Sequence, residues 1–402
     1  MITEKNHPIQ LMREILNIKN LLIVQDIDGV CIPLVKDPLK REIEVSYIYS
    51  ARKLRNEFAV LTNGEHEGPR GLKRVIERAF EKDQISCHEN QYLPGLAAGG
   101  VEYQDRYGQV NYPGVSNEEL VFLKNIPQKM EELLKYKLNQ ILPSLKSLEI
   151  EKLSKASIID TKFSPTINLN QIFSLIPNNI KLQQSIQLML EELMNELMNC
   201  ASLAGLSNSF YLHVAPNLGK EKDKELIKFS SKGDVGTTDI QLMLSGAIKE
   251  AGLLVLINKY VEEKYGKAPF GKNFNVREAP RTLPELLSLC REQVDEAQMP
   301  VLIGIGDTVT STYSSERQEW LRGGSDRGFL TLIQELGKQF KKENKVVLVD
   351  SSGGEVDRPS LSQKNLNGIT DPEDPLKFNA LFKDGPNSYV EWFCRLAEKR
   401  VM

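Results

Sequence analysis

Apolar runs of strand length recur along the chain and stop abruptly at polar tips. Leu21–Val24 ends in Gln25-Asp26-Ile27-Asp28-Gly29, Phe58–Leu61 in Thr62-Asn63-Gly64, Val301–Ile305 in Gly306-Asp307, and Val346–Val349 in Asp350. Short, continuously apolar runs of this kind suit central parallel strands covered on both faces, and such sheets bind ligands at the carboxyl ends of their strands. Helical spacing over Pro8–Ile18, Tyr47–Glu57 and Gly71–Phe80 predicts the covering helices, joined later by one ending at Val294, one ending at Phe340 and one over Ser388–Lys399. Strand, helix, strand implies a parallel crossover, so the tips should emerge along one sheet edge. Gly95–Tyr103 reads as a further strand feeding a hairpin near Tyr107-Gly108.

From Ser116 the pattern changes. Glu118–Leu142 is a long helix, Ser147–Leu153 and Ser157–Phe163 read as strands, and Leu182–Ala204 is strongly periodic, with the stripe Leu182, Ile186, Leu190, Leu193, Leu197, Ala201 and Ala204. Phe210–Ala215 and Glu225–Phe229 follow as strands. Helix, strand, strand, repeated once, predicts a small antiparallel sheet with helices on one face, inserted into the parallel domain. The expected division is a core over 1–115, an inserted α+β module over 116–229 and the remaining core over 230–402. The chain re-enters the core at Ser231-Lys232-Gly233-Asp234, with Thr238–Lys259 read as one helix, which sets Lys232 at a strand-to-helix junction.

Composition narrows the class. With 402 residues the chain can bury a large core. A net charge of -3 gives no reason to expect nucleic acid or an anionic membrane as partner. Five cysteines, Cys31, Cys87, Cys200, Cys290 and Cys394, are widely spaced and form no CxxC pair, so neither a disulfide framework nor a zinc site is indicated. Without a signal-like N-terminus or an apolar stretch of roughly 18 residues, a soluble cytoplasmic protein is expected.

Asp26 and Asp28 stand where chemistry is expected. Residues two apart on an extended chain face the same side, and two anions that close are tolerable if a divalent cation or a proton-sharing bond compensates. The competing reading is a strand followed by an Asp-Gly turn. Thr62 suits either a phosphate oxygen or a turn, and Lys232 either a bound anion or bulk solvent. The glycines of Gly95–Gly100 fit neither GxGxxG nor a Walker loop and read as close packing.

The order of these motifs resembles the haloacid dehalogenase superfamily of aspartate-nucleophile phosphatases: a strand with DxD (Asp26, Asp28), a strand ending in Thr (Thr62), a lysine (Lys232) and a strand ending in Gly-Asp (Gly306-Asp307). The resemblance implies a Rossmann-like parallel-sheet core with an inserted α+β cap of the C2 type. It further implies Asp26 as nucleophile, Asp28 as acid and base, and Thr62 and Lys232 on the phosphoryl oxygens. Mg²⁺ would be held by Asp26, the Asp28 carbonyl and Asp307. The runs IVQDIDGVCIPLVKDPL, VLTNGEHEGPRG, LPGLAAGGVEYQ and GIGDTVTSTYSSE look like the family of glucosylglycerol 3-phosphate phosphatases, which complete synthesis of an osmolyte. That implies a sugar-phosphate substrate and, as a candidate protein partner, the upstream synthase. Trehalose- or sucrose-phosphate phosphatases and a non-catalytic regulator remain the alternatives. One departure stands out: the superfamily's acid shortly after Gly-Asp is replaced by Thr308-Val309-Thr310-Ser311-Thr312. Asp326, or less favourably Asp350, is expected to supply it. Asn63, Glu65 and His66 are the candidate substrate contacts, with His213 and Lys162 as further candidates in the cap.

Overall fold

The computed structural model describes residues 8–85, 90–221, 224–362 and 366–401; Cys87 lies outside them. The first core segment comprises α1 (Pro8–Ile15), β1 (Leu21–Gln25), α2 (Val45–Leu54), β2 (Phe58–Leu61), α3 (Leu72–Lys82), β3 (Gly95–Ala97), β4 (Glu102–Gln104) and β5 (Val110–Asn111). The inserted module contains α4 (Asn117–Ile141), α5 (Ser147–Ala156), β6 (Ile158–Ile159), β7 (Thr166–Asn168), α6 (Asn170–Leu175), α7 (Ile180–Leu203), β8 (Phe210–Ala215), β9 (Asn217–Glu221), β10 (Lys224–Ile227) and β11 (Asp239–Leu244). The chain returns through α8 (Lys249–Tyr265), α9 (Leu283–Gln293), β12 (Val301–Gly306), β13 (Thr310–Ser314), β14 (Glu319–Gly323), α10 (Arg327–Gln339), β15 (Lys345–Val349), β16 (Ala380–Phe382) and α11 (Gly385–Val401).

The core sheet runs β16-β15-β12-β1-β2-β3-β4-β5, parallel from β16 to β3 and antiparallel beyond it. All five residues of β1 are buried, because successive side chains feed opposite layers. Leu22 and Val24 join the layer that contains α8, α9 and α10. Leu21 and Ile23 join the layer that contains α1, α2, α3 and α11, where Tyr47, Phe58 and Phe393 pack ring against ring. This is the doubly wound α/β core expected from the uninterrupted apolar strands.

Besides β7, α6 and β9, which the sequence pattern does not predict, the cap differs from expectation at two places. Ser147–Ala156 is a helix, not a strand: Ile150, Leu153 and Ser154 are its buried residues, at helical spacing, and Glu149 reaches back to the Lys146 N–H. Asp239–Leu244, read from the sequence as the start of a long helix, is β11, in the cap sheet of order β6-β7-β11-β8. The cap therefore extends past residue 229 to Leu244. Its period-two alternation carries the signal: Ile240, Leu242 and Leu244 are buried with the cap helices, while Asp239 and Gln241 face the core. The stripe predicted along α7 is buried at Ile186, Leu190, Leu193, Leu197 and Ala201.

Between β12 and α10 the core extrudes the hairpin β13–β14. Its base is tied down by Asp371, which accepts from Arg322 Nε and Nη2, both at 2.8 Å, and from Ser311 Oγ at 2.5 Å. Arg327 similarly forks onto Asp374 at 2.9 and 2.8 Å. The Arg322 hydrogen bonds lower the Asp371 carboxyl to about 2. Its contribution to stability is thus complete above the ordinary aspartate range and is lost as pH falls from about 4 towards 2. Asp371→Asn should cost about 1.5–3 kcal/mol at pH 7, the range for hydrogen bonds to charged groups. Denaturant unfolding should show the gap from the parent protein narrowing at pH 3, and a gap independent of pH would refute the charge assignment.

Candidate active site

The carboxyl ends of β1 and β12 lie side by side, so Asp26 and Asp307 share one pocket with Asp326, the residue immediately before α10. One carboxylate oxygen from each residue lies within 4.8 Å of the others. Lys249, the first residue of α8, places its buried Nζ 2.6 Å from both Asp26 Oδ2 and Asp326 Oδ1. The remaining oxygens are held from below: Asp26 Oδ1 accepts from the Ile27 N–H at 2.7 Å, and Asp326 Oδ2 accepts from the N–H groups of Asp307 and Thr308, both at 2.9 Å. Gly29 turns here with φ +79°, and a Cβ on it would overlap the Asp307 carboxylate. No larger residue fits that bend.

Three carboxylates around one ammonium leave two negative charges in excess when all are ionised. Burial pushes Asp26 up to about 6 against the pull of Lys249, with Asp326 adding to the rise; burial also holds Asp307 well above the carboxylate range, reinforced by Asp326 and Asp26. Asp307 Oδ2 is buried without a hydrogen-bond partner. An all-oxygen donor set, an orphaned carboxylate oxygen and two uncompensated charges fit a hard divalent cation such as Mg²⁺.

Thr62 follows β2 on the same edge, buried, with its Oγ1 accepting from the Gly64 N–H at 3.3 Å. Asp28 stands at the mouth, where Arg41 Nη1 donates to its Oδ2 at 2.6 Å. Asn63 and Glu65 line the same cavity, of about 210 Å³, with Arg70 and Arg358 on its walls. Burial and the neighbouring Glu102 push Glu65 up to about 7. The opposite wall is the polar face of the cap sheet: Thr166, Asn168, Asp239 and Gln241. Asn168 Nδ2 donates to Asp239 Oδ1 at 2.6 Å across the β7–β11 pair, and Thr238 Oγ1 donates to Oδ2 at 3.0 Å. Lys162 sits at the cap–core seam, 3.4 Å from Glu67 and 3.9 Å above the Tyr112 ring.

Three expectations need correction. Lys232 lies exposed in the turn between Ser231 and Asp234, away from the carboxylates. The strand-to-helix junction is at Lys249, displaced because β11 intervenes; reading Asp239–Leu244 by its alternation, with Gly246 as the break, would have found it. His66 does not line the cavity. Its ring is buried, with Nε2 3.2 Å from the Gly95 carbonyl, and burial lowers it to about 4, so it is neutral. Asp350 does not join the cluster; its oxygens accept from Ser352 N, Ser360 Oγ and Leu361 N. Asp326 does, returned to it by the β13–β14 hairpin.

The class is a capped α/β protein with an acidic, all-oxygen cluster at the carboxyl edge of its sheet. The family model for glucosylglycerol-phosphate phosphatase matches residues 20–397, and the chain belongs to that family. The glucosylglycerol-phosphate phosphatase of Synechocystis sp. is 44% identical over 394 residues, covering 95% of this chain and 93% of that protein. Among solved structures, the trehalose-6-phosphate phosphatase C-terminal domain of C. albicans aligns with TM-score 0.47 at 12% identity, covering 97% of this chain and 96% of that one. The Aspergillus fumigatus trehalose-6-phosphate phosphatase aligns with TM-score 0.39 at 8% identity, covering 97% of each chain. Among the described residues, no helix is long and apolar enough to cross a membrane.

The two lysines are separable by experiment. Lys249→Ala should lower phosphatase turnover by about 10²–10³-fold, the scale for removing one preorganised group that stabilises transition-state charge, while Lys232→Ala should stay near the parent value. Steady-state kinetics of the two variants decide the matter; comparable losses would restore Lys232 as a contact.

Proposed function

We propose that this chain hydrolyses glucosylglycerol phosphate to glucosylglycerol and phosphate through an aspartyl-phosphate, with Mg²⁺ as cofactor. The observation that carries this reading is the buried cluster of Asp26, Lys249, Asp326 and Asp307 beneath a cavity whose far wall is hydroxyl-binding in character. It is supported by the family membership.

Asp26 attacks phosphorus in line, forming a P–O bond to its carboxylate as the bond to the glycerol oxygen breaks, so one difficult displacement becomes two easier ones. Asp28 protonates the departing oxygen and then takes a proton from the water that hydrolyses the acyl phosphate. The Arg41 guanidinium holds that carboxylate at the cavity mouth. Lys249 and the Thr62 hydroxyl face the phosphoryl oxygens, where charge builds in the transition state. Asp26 and Asp307, with Asp326 behind them, would hold Mg²⁺, which when bound would neutralise further charge on the phosphoryl group. Asp239, held by Asn168 and Thr238, is oriented to accept from a sugar hydroxyl, and Gln241 offers a second polar contact. Closure of the cap over this wall excludes water other than the attacking molecule.

Purified protein should release phosphate from glucosylglycerol phosphate with a higher kcat/KM than from trehalose or sucrose phosphate. A dominant constant for either disaccharide would overturn the substrate assignment. Asp26→Asn should abolish turnover while the circular dichroism spectrum is retained, and chelation of divalent ions should silence the parent protein reversibly. Undiminished hydrolysis in the presence of chelator would rule out the metal role.

A further inference from the structure

The hairpin β13–β14 separates Asp307 from Asp326 in the chain, and it leans against the cap rather than standing free. Thr310, at its start, donates through Oγ1 to the Asn217 carbonyl, and Gly324, just past its end, donates its N–H to Asn217 Oδ1 at 3.1 Å. Asn217 is a buried cap residue at the head of β9. The two backbones touch so closely that a Cβ on Gly323 would overlap both Gly219 N and the Asn217 carbonyl oxygen.

The contact continues through the cap. Asn217 Nδ2 donates to Glu225 Oε2 at 3.2 Å, and the same oxygen takes the Val214 N–H at 3.0 Å and lies 2.9 Å from His213 Nδ1. A carboxylate can only accept, so Nδ1 carries the hydrogen between the two side chains, and the other ring nitrogen, Nε2, faces the amide donor of Asn63. Asn63 Nδ2 lies 3.0 Å from Nε2. Asn63 belongs to the core loop that carries Thr62. An unbroken chain of polar contacts therefore leaves the core at Gly324, two residues before Asp326, crosses Asn217, Glu225 and His213, and returns to the core at Asn63.

A polar network that served only to hold the cap together would end inside the cap. Both ends of this one land on core loops that carry site residues, and its three cap members are all buried. We propose that His213, Glu225 and Asn217 are positioning residues: the seated cap uses them to hold the Thr62–Asn63 loop and the Gly324–Asp326 segment in register. The acidic cluster and the phosphate-binding loop then reach working geometry together, and only with the cap docked. The kinetic arm of the test rests on the phosphatase reading above; the binding arm does not.

The test uses the full chain with Asn217→Ala, His213→Ala and His213→Gln. Titration calorimetry with Mg²⁺ alone should show Asn217→Ala binding about 10-fold more weakly than the parent, within the 10–100-fold range for loss of a supporting partner. His213→Ala should lower kcat by about 10-fold or more with KM changed far less, because it frees Asn63 without emptying the cavity. His213→Gln keeps a donor towards Glu225 and an acceptor towards Asn63, and should restore most of that loss. Parent-like Mg²⁺ affinity in Asn217→Ala, or a kcat loss in His213→Ala that His213→Gln does not recover, overturns the proposal; the second result would assign His213 to packing alone. If Asn217→Ala does not fold, the two His213 variants decide. If the parent protein binds Mg²⁺ yet releases no phosphate, the phosphatase reading falls and calorimetry still decides the relay.

Discussion

Everything at the active edge depends on burying three carboxylates around one ammonium. Removing charges from water costs several kcal/mol for each ion even after relaxation, and the cost is offset only when geometry and hydrogen bonding are nearly complete. Lys249 meets that condition for Asp26 and Asp326, and the N–H groups of Ile27, Asp307 and Thr308 saturate two of the remaining oxygens. Only Asp307 Oδ2 is left without a hydrogen bond, among the described atoms of this cluster. The neighbouring elements can be understood as the means of bringing these groups together: β1 and β12 in parallel register, α8 beginning at Lys249, and α10 beginning after Asp326.

The long excursion between Asp307 and Asp326 ends with two carboxylates 19 residues apart in one cluster. The chain leaves the sheet edge, makes a hairpin that packs on the cap, and returns the carboxylate to the backbone N–H groups of Asp307 and Thr308. Arg322 and Arg327, forked onto Asp371 and Asp374, hold the hairpin's base rigid enough for that return. The cavity is correspondingly two-sided, lined by Asp26, Asp307 and Thr62 from the core and by Thr166, Asn168, Asp239 and Gln241 from the cap.

Much of this was legible in the residues. Apolar runs ending in Asp26, Thr62 and Asp307 identified the central strands, since a buried strand tolerates a charged tip only where something compensates it. The α7 stripe was equally plain, because a period near 3.6 over a long segment has no other reading. Failures came where the period was short or ambiguous. Asp239–Leu244 has only six residues, and its apolar positions also fit a helix, a fit that puts the strand-to-helix junction at Lys232 instead of Lys249. For His66, proximity to Thr62 in sequence says nothing about direction, and its ring turns inward to the Gly95 carbonyl of β3.

By itself the sequence determined the layered α/β core, the insertion of a cap after β5, and the principal carboxylates, because hydrophobic period and strand-end chemistry are local properties. Tertiary structure alone decided which lysine meets Asp26, that Asp326 rather than Asp350 completes the cluster, and that Asn63 meets His213 across the cap boundary. Those pairings join residues separated by 223, 77 and 150 positions. No local pattern encodes contacts at such separations; they follow from how two independently patterned domains pack and from the need of buried charges to find one another.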